Sequence, residues 1–491
     1  MRLRAAALLA LAGLLAGCGS HARETAPTVA PPPPPPPTVV TLPPPPKPKP
    51  RPKPVPHRPV RLAITVVDGD TNERVRDAAV TAWGRRDRTD DRGRARIRVP
   101  WRRPLTVSVA ARGYESRAVR ESFRRSRYVT VRIYRPELQW TLYGATPTRT
   151  GAHPGIDLRP PFKVVWSRGL GSLIEFPAVV KDSVAYIGNS RATVSALSMR
   201  SGRVIWQRRT PGGEMASSPT VVGGSLVYHD MRGHVNVVDR ESGKLLRETA
   251  FGSPIESSPI VSNGVDYFGT WDGRIVALDL RRGRVRWVKN VGAKITSSVA
   301  IAGRTLYVGD YAGRLWALAP STGRTRWVGT VNGRIYGTPA VSRGRVFVPS
   351  SSGGSLTAFT TRGRRLWSFH PGAYVYSSPA VWNGRVFFGS YNGVFYCLSA
   401  ATGRVQWTVG TGGPVSGAAV VVAGVAYAGS FAHKIVGVDA RSGRVLIRFP
   451  HGDYVPVSGN GARLLFHGFS RLYAVEPLRD ARPRRRVASS R

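Results

Sequence analysis

The chain contains little cysteine and lacks the usual signatures of catalysis. Its 491 residues include 2 Cys, at positions 18 and 397. Two cysteines so far apart exclude a disulfide-rich scaffold and a zinc site built from paired cysteines. The sequence also lacks HExxH, GxSxG and phosphate-loop motifs, which are typical of zinc proteases, α/β-hydrolases and P-loop NTPases. We therefore predict no catalytic residues and no metal site.

Acidic residues are also scarce. Asp and Glu together number 28 against 73 Lys and Arg, which gives a formal net charge of +45. A surface with this balance attracts polyanions. No nucleic-acid-binding motif is present, and the chain begins like an exported protein. We therefore expect wall polymer, anionic lipid or acidic protein as charge partners, and no nucleic acid.

Long apolar runs are absent after the first residues. Met1–Arg4 is basic, and Ala5–Gly17 is apolar but too short to cross a bilayer core of ~30 Å. Leu15-Ala16-Gly17-Cys18 resembles the lipobox of bacterial lipoproteins. The resemblance implies a signal peptide over 1–18, a lipid on Cys18 and an extracytoplasmic protein anchored to a bacterial membrane.

Two further segments are not expected to fold into a domain. Residues 19–59 are dominated by proline, which favours an extended polyproline II linker over a packed core. Residues 478–491 are rich in arginine and predict a disordered basic tail.

A repeat of 40 residues organises the rest of the chain. Six tryptophans share one register, and Arg247 and Ile447 stand where two further copies would be. The tryptophans are Trp166, Trp206, Trp287, Trp327, Trp367 and Trp407. A period of about 40 residues is typical of β-propeller blades. The register therefore predicts eight blades.

Each repeat contains four short apolar runs separated by turn residues, such as Asn383-Gly384. The array begins with a fourth strand, Phe162–Trp166, and ends with a third strand, Arg471–Val475. Pairing of these two strands would close the ring and remove its free edges. The fold prediction is thus all-β, with an eight-bladed β-propeller over 138–477.

The end of each repeat resembles the tryptophan-docking motif of the PQQ-like repeat propellers. Three copies are Ala277-Leu278-Asp279 with Gly283 and Trp287, Ala317-Leu318-Ala319 with Gly323 and Trp327, and Cys397-Leu398-Ser399 with Gly403 and Trp407. The family contains quinoprotein dehydrogenases and non-enzymatic propellers such as the BamB-like lipoproteins. The resemblance implies that the six tryptophans wedge neighbouring blades together, and that the chain is a non-catalytic scaffold for an envelope protein or peptide.

A smaller unit precedes the propeller, over residues 60–137. Its short strands and regular turns predict a β-sandwich, and its loose motifs, including Ala111-Arg112-Gly113-Tyr114, resemble carboxypeptidase regulatory-like domains. Asp68–Glu73 begins like a calcium loop, but Glu73 stands where an EF-hand loop requires glycine. An acidic turn is the favoured interpretation of these residues.

The central funnel is the candidate binding site, and we expect the protein to be a monomer. The predicted funnel residues lie where fourth strands lead into the next first strands: Glu214, Glu256, Lys294, Arg334, Tyr336, Tyr374, Tyr376 and Tyr454. Glu175 is a further carboxylate in this region. Two alternatives stay open. One is a quinoprotein oxidoreductase that uses PQQ and calcium, and the other is a charge-driven module that binds wall polymer or anionic lipid.

Overall fold

The computed structural model describes residues 59–99, 104–122, 128–210 and 213–478. The predicted signal peptide with Cys18, the Pro-rich segment up to residue 58 and the tail from residue 479 lie outside these ranges. Within them the helical content is a 3-10 turn at Pro136–Leu138, and no helix has the length and apolar character needed to cross a membrane. The architecture is therefore all-β, as predicted.

The first domain consists of two sheets that face each other. Its strands are β1 Val60–Asp68, β2 Ala79–Ala82, β3 Arg85–Arg88, β4 Arg94–Val99, β5 Pro104–Ala110, β6 Arg117–Ser122 and β7 Tyr128–Ile133. One sheet has the order β4-β1-β7 and the other β3-β2-β5-β6. Alternate residues of β4 and β5 are buried in a shared apolar core, because successive side chains of a strand point to opposite faces. Its kinship with carboxypeptidase regulatory-like domains stays a prediction.

The second domain contains eight antiparallel four-stranded sheets, and the seventh carries β8 as a fifth strand. The strands outside the regular succession are β8 Ala152–His153 and β9 Phe162–Gly169. Sheets one to four consist of β10 Val179–Lys181, β11 Val184–Gly188, β12 Thr193–Ser198 and β13 Val204–Arg209; β14 Thr220–Val222, β15 Ser225–His229, β16 His234–Asp239 and β17 Leu245–Ala250; β18 Val261–Ser262, β19 Val265–Gly269, β20 Arg274–Asp279 and β21 Arg284–Asn290; and β22 Ala300–Ala302, β23 Thr305–Gly309, β24 Arg314–Leu318 and β25 Thr325–Thr330.

Sheets five to eight continue the same order from the innermost to the outermost strand. They consist of β26 Ala340–Ser342, β27 Arg345–Ser350, β28 Ser355–Thr360 and β29 Arg365–Phe369; β30 Ala380–Trp382, β31 Arg385–Gly389, β32 Val394–Ser399 and β33 Val405–Gly410; β34 Val420–Val422, β35 Val425–Ser430, β36 Lys434–Asp439 and β37 Val445–Phe449; and β38 Val457–Gly459, β39 Leu464–His467 and β40 Arg471–Pro477, with β9 as the outermost strand.

The eighth sheet closes the ring with both ends of the array. β9 pairs antiparallel with β40, and Trp166 lies opposite Ala474. On the inner side, β38 of the eighth sheet contacts β10 of the first. Because the last sheet takes its fourth strand from the start of the array, β40 is not left as an edge, and β9 becomes the outermost strand as in a complete sheet.

The tryptophans of the repeat contact the next sheet. The Trp287 indole N–H donates to the Pro320 carbonyl at 2.8 Å, and its ring lies against Gly323, whose φ is +68°. A β-carbon on Gly323 would come within 2.6 Å of that ring, so both the turn and the packing require glycine. Trp166, Trp206, Trp327, Trp367 and Trp407 make the same type of bond to the next sheet.

Arg247 occupies the position of the missing tryptophan. Its guanidinium lies over Gly283 and donates to the Arg281 carbonyl at 3.3 Å. The planar cation therefore takes the place of an indole, because it also combines a flat surface with N–H donors.

A segment that the sequence did not single out closes one end of the central channel. This channel segment, Trp140–His153, donates and accepts backbone hydrogen bonds along the innermost strands. Its carbonyls accept from the backbone N–H groups of Val180, Val221, Ile301, Val341, Val381 and Val421. These acceptors follow the sheets around the channel, so the segment satisfies inner-strand groups that a hollow channel would leave to water.

Arg149 anchors the channel segment. Its side chain is 3% exposed and donates to the carbonyls of Ser258, Pro259 and Val299 at 3.0 to 3.2 Å, and also to that of Tyr143. Burial lowers the pKa of Arg149 to about 10, so it stays charged at neutral pH. Four carbonyl oxygens thus solvate a buried cation that forms no salt bridge among the described residues, while the charge of Asp266 acts on it from a distance.

The acidic turn Asp68–Glu73 joins the two domains. Asp68 accepts from the backbone N–H groups of Asp70 and Thr71 at 3.0 Å and so shapes the turn. Asp70 accepts from the side chains of Ser183, Gln139 and Asn460 at 2.8 to 2.9 Å. The turn therefore docks the sandwich on the first and eighth sheets, beside a cavity of about 680 Å³.

Asp70→Asn should remove a pH dependence of stability. Burial raises the pKa of Asp70 to about 6, whereas an unfolded aspartate has a pKa of about 3.9. The folded state thus binds the proton more tightly, and its stabilisation is lost as the pH rises from about 4 to about 6. The difference in thermal midpoint between wild type and variant should therefore change between about pH 4 and about pH 6 and stay constant at higher pH.

Asp157→Asn provides the matched control, because Asp157 lines the same cavity but is exposed. Its midpoint should follow that of the wild type at every pH. A difference between wild type and Asp70→Asn that does not vary with pH would contradict the role of Asp70.

Candidate functional site

Two sets of loops form the mouth of the funnel at the end opposite the channel segment. One set leads into the innermost strands, and the other joins the second and third strands of each sheet. Backbone hydrogen bonds tie the two sets together within a sheet, as from Trp271 N–H to the Pro254 carbonyl and from Tyr391 N–H to the Tyr374 carbonyl. Because the same bond recurs around the ring, the residues at the two loop tips lie side by side.

A small pocket lies below this mouth. Its volume is about 40 Å³. Tyr143 of the channel segment lines it together with Phe176, and these two rings meet edge to face at 5.8 Å. The Tyr143 hydroxyl donates to the Ser378 hydroxyl oxygen at 3.2 Å. The funnel is therefore blind, because the channel segment supplies part of its floor.

Two carboxylates line the pocket. Glu256 is 6% exposed and accepts from the Trp271 indole N–H at 3.0 Å. Glu175 accepts from the Tyr336 hydroxyl at 3.4 Å. Burial, and then the charge of Glu256, raise the pKa of Glu175 to about 7; burial also raises the pKa of Glu256. Two anions thus share one desolvated space.

One side of the mouth carries cations on aromatic rings. The Lys294 ammonium lies 3.2 Å from the centre of the Trp271 ring and 5.2 Å from that of Tyr311. The Arg334 guanidinium lies 5.6 Å from the Tyr311 ring. Burial lowers the pKa of Lys294, while the charge of Glu256 opposes that effect.

The other side of the mouth is an aromatic crescent, a chain of neighbouring rings with centroids 4.9 to 6.2 Å apart. Its members are Tyr336, Tyr376, Tyr374, Tyr391, Phe431 and Tyr454. Tyr374 is 52% exposed and stands at the rim. Aromatic side chains supply large contact areas at little cost in conformational entropy, which suits a binding surface.

The eight residues predicted for the funnel fall into three groups. Glu256, Tyr336, Tyr376 and Tyr454 line the pocket, whereas Lys294, Arg334 and Tyr374 stand around its rim. The Glu214 side chain is exposed and is not part of the pocket.

Sequence reasoning missed the second set of loop tips. Trp271, Tyr311, Tyr391 and Phe431 occupy one register of the 40-residue repeat, each two residues before a turn residue with positive φ. Large aromatic residues at turn tips in a fixed register are a signal that could have identified them. Tyr143 could not be identified in this way, because it lies outside the repeat.

Two other buried groups lie away from the funnel. His229 pairs with Asp266 at 2.8 Å, and both side chains are fully buried. Cys397 is buried in β32, and burial raises the pKa of its thiol to about 12. Within the described ranges, no group of three or more His, Cys, Asp or Glu side chains is arranged to hold a metal ion.

A family model described as outer membrane protein assembly factor BamB matches residues 190–292, 271–373 and 362–452. The overlapping matches follow the repeat and together cover more than half of the chain. No curated protein sequence matches the chain.

Solved structures with a similar fold include BamB, a quinohemoprotein alcohol dehydrogenase and a designed protein. BamB from Moraxella catarrhalis is 18% identical, with a TM-score of 0.55 over 64% of this chain and 99% of that one. Quinohemoprotein alcohol dehydrogenase from Comamonas testosteroni is 14% identical, with a TM-score of 0.60 over 69% of this chain and 80% of that one. The computationally designed Ika8 protein is 16% identical, with a TM-score of 0.56 over 63% and 98%. At these identities the likeness shows the fold alone.

Proposed function

This chain belongs to the family described as outer membrane protein assembly factor BamB, and from this premise we propose that it is a non-catalytic binding propeller of the cell envelope. Its partner is a protein or peptide that docks on the funnel mouth. The proposed location is extracytoplasmic, with a lipid anchor on Cys18.

This proposal rests on the shape of the funnel. Its mouth presents the aromatic crescent, whereas the pocket beneath holds about 40 Å³. Pockets for small molecules and cofactors usually hold about 300–1,000 Å³. A broad aromatic rim above a narrow blind pocket suits a protein surface with one protruding side chain.

The same pocket does not fit a tricyclic quinone cofactor. Tyr336 and Tyr376 line the pocket with ring centres 5.5 Å apart, and its volume of about 40 Å³ is far below that of usual cofactor pockets. The carboxylates of Glu175 and Glu256 would also face the carboxylates that PQQ carries. These observations favour a binding protein over an oxidoreductase, and we derive no reaction through the cofactor.

Site-specific photo-crosslinking in cells tests the proposal. A benzophenone amino acid at Tyr374, on the exposed rim, should trap one discrete partner. The matched position is Val288, which is 48% exposed on the outermost strand β21. A band at Tyr374 that is absent at Val288 supports docking at the mouth; equal labelling, or none at Tyr374, contradicts it.

A further inference from the structure

The pocket beneath the aromatic crescent holds two carboxylates, and none of the described residues that line it is cationic. Glu175 takes part in none of the ion pairs among the described residues, and its hydrogen-bond partner is the Tyr336 hydroxyl. Glu256 lies in the same pocket and is bound to a neutral indole. Removing a carboxylate from water without a partner costs several kcal/mol. A cationic ligand would recover that cost.

The walls of the pocket suit a cation as well. Tyr336, Tyr376 and Tyr454 line it together with the two carboxylates. The negative faces of aromatic rings attract ammonium groups, by about 2 kcal/mol or more where water is excluded. Carboxylates and aromatic faces are the two elements of ammonium recognition.

The same mouth already holds one ammonium group in this way. Lys294 lies 3.2 Å from the Trp271 ring, and the charge of nearby Glu256 favours its protonated form. This lysine is not among the residues that line the pocket, although its charge acts on Glu256, which does line it. The pocket offers a second position of similar chemistry, because no Lys, Arg or His is among the described residues that line it.

The volume narrows the choice of cation. A single water molecule requires roughly 10–15 Å³ of cavity volume. The pocket, at about 40 Å³, therefore has room for an ammonium group with one or two methylene groups. A planar guanidinium or an aromatic cation needs more room. We propose that the pocket formed by Glu175, Glu256 and Tyr336 binds the primary ammonium group of a lysine side chain that protrudes from the docked partner.

This inference rests on the proposed function, since it names the chemistry that the funnel mouth recognises. The high net charge of the protein does not oppose it at short range, because charges beyond about 8 Å are screened at physiological salt. Affinity should rise with pH through about 7, where Glu175 loses its proton. Below that pH, a neutral Glu175 attracts the ammonium less strongly.

Calorimetric titration of the full chain with two short peptides tests the ammonium site. The probes are acetylated and amidated Gly-Gly-Lys-Gly-Gly and its glutamine counterpart, which has a similar length but no charge. We expect the lysine peptide to bind at least about tenfold more tightly, as one charged hydrogen bond and one cation–π contact imply. An arginine version should bind more weakly than the lysine version.

Two variants assign the effect to the pocket. Glu175→Gln should weaken the lysine peptide about tenfold or more and remove the rise in affinity near pH 7. Glu214→Gln is the matched control, because Glu214 is an exposed carboxylate outside the pocket, and it should change affinity less than about twofold. Should Glu175→Gln fail to fold by circular dichroism, Glu256→Gln replaces it with the same expectation for affinity.

The outcomes separate this inference from the proposed function. Equal binding of both peptides, or no binding of either up to about 10 mM, overturns the ammonium site and leaves crosslinking at Tyr374 as the measure of docking. Calcium that binds with the same dependence on Glu175, while the lysine peptide does not, also overturns it. Lysine-specific binding without a crosslinked partner supports the ammonium site and contradicts the scaffold role.

Discussion

Trp287→Ala is expected to lower the free energy of unfolding by about 2–4 kcal/mol, below the full range for a core aromatic side chain because Trp287 is only partly buried. The indole fills the junction between the third and fourth sheets and packs on Gly323. Its removal leaves a cavity and also deprives the Pro320 carbonyl of its donor. Urea denaturation, followed by circular dichroism, should show a correspondingly lower midpoint.

Two further variants separate the contributions of Trp287. Trp287→Phe keeps most of the ring but lacks the N–H donor. Its free energy of unfolding should therefore be about 1 kcal/mol below that of the wild type. Val288→Ala is the control on the same strand, and since Val288 is 48% exposed, its effect should stay within about 0.5 kcal/mol. A similar loss in Val288→Ala and Trp287→Ala would mean that the tryptophan does not join the sheets.

Arg149→Met is expected to destabilise the propeller by about 3 kcal/mol or more. The variant keeps an unbranched side chain but removes a donor from four buried carbonyls. The Pro259 carbonyl keeps the Thr220 hydroxyl as a donor, whereas each carbonyl left unsatisfied costs about 1–3 kcal/mol. The gain from no longer burying a charge offsets part of this cost. Urea denaturation of the full chain measures the net effect.

The channel segment should also loosen in Arg149→Met. Hydrogen exchange at Ile301 and Val341, whose N–H groups donate to that segment, should accelerate more than at Phe387 in β31, the second strand of the sixth sheet. Arg284→Met is the control, because Arg284 is exposed on β21, and it should leave both stability and exchange unchanged. Unaltered exchange in Arg149→Met would refute its anchoring role.

Much of the fold could be predicted because each repeat is defined by turn residues and apolar runs that are close in sequence. Turn residues such as Asn383 and Gly384 adopt positive φ in the structure, and short apolar runs between them form the strands. The position of Trp287 in the register indicated its place on an outer strand. The pairing of β9 with β40 followed from counting, since the array begins with a fourth strand and ends with a third.

The candidate site could be predicted only in part. The register placed Glu256 and Tyr336 at the funnel, because both precede an innermost strand. It did not distinguish Glu256, which is 6% exposed, from Glu214, which is exposed. The burial of a side chain depends on how loops from neighbouring repeats pack over it. The sequence of one repeat therefore does not predict which of its side chains are buried.

The sequence by itself determined the class of fold, the repeat and the tryptophan positions, because period, turn chemistry and apolar pattern act over a few residues. Only the tertiary structure decided that the channel is blind and that Tyr143 reaches the pocket floor. Only it decided that Arg149, which reads as an ordinary polar residue, is a buried anchor. These features join residues more than 100 positions apart, as from Arg149 to Ser258 and Val299. The stabilisation from these contacts depends on which distant polar groups are buried together, and a local sequence pattern does not indicate this.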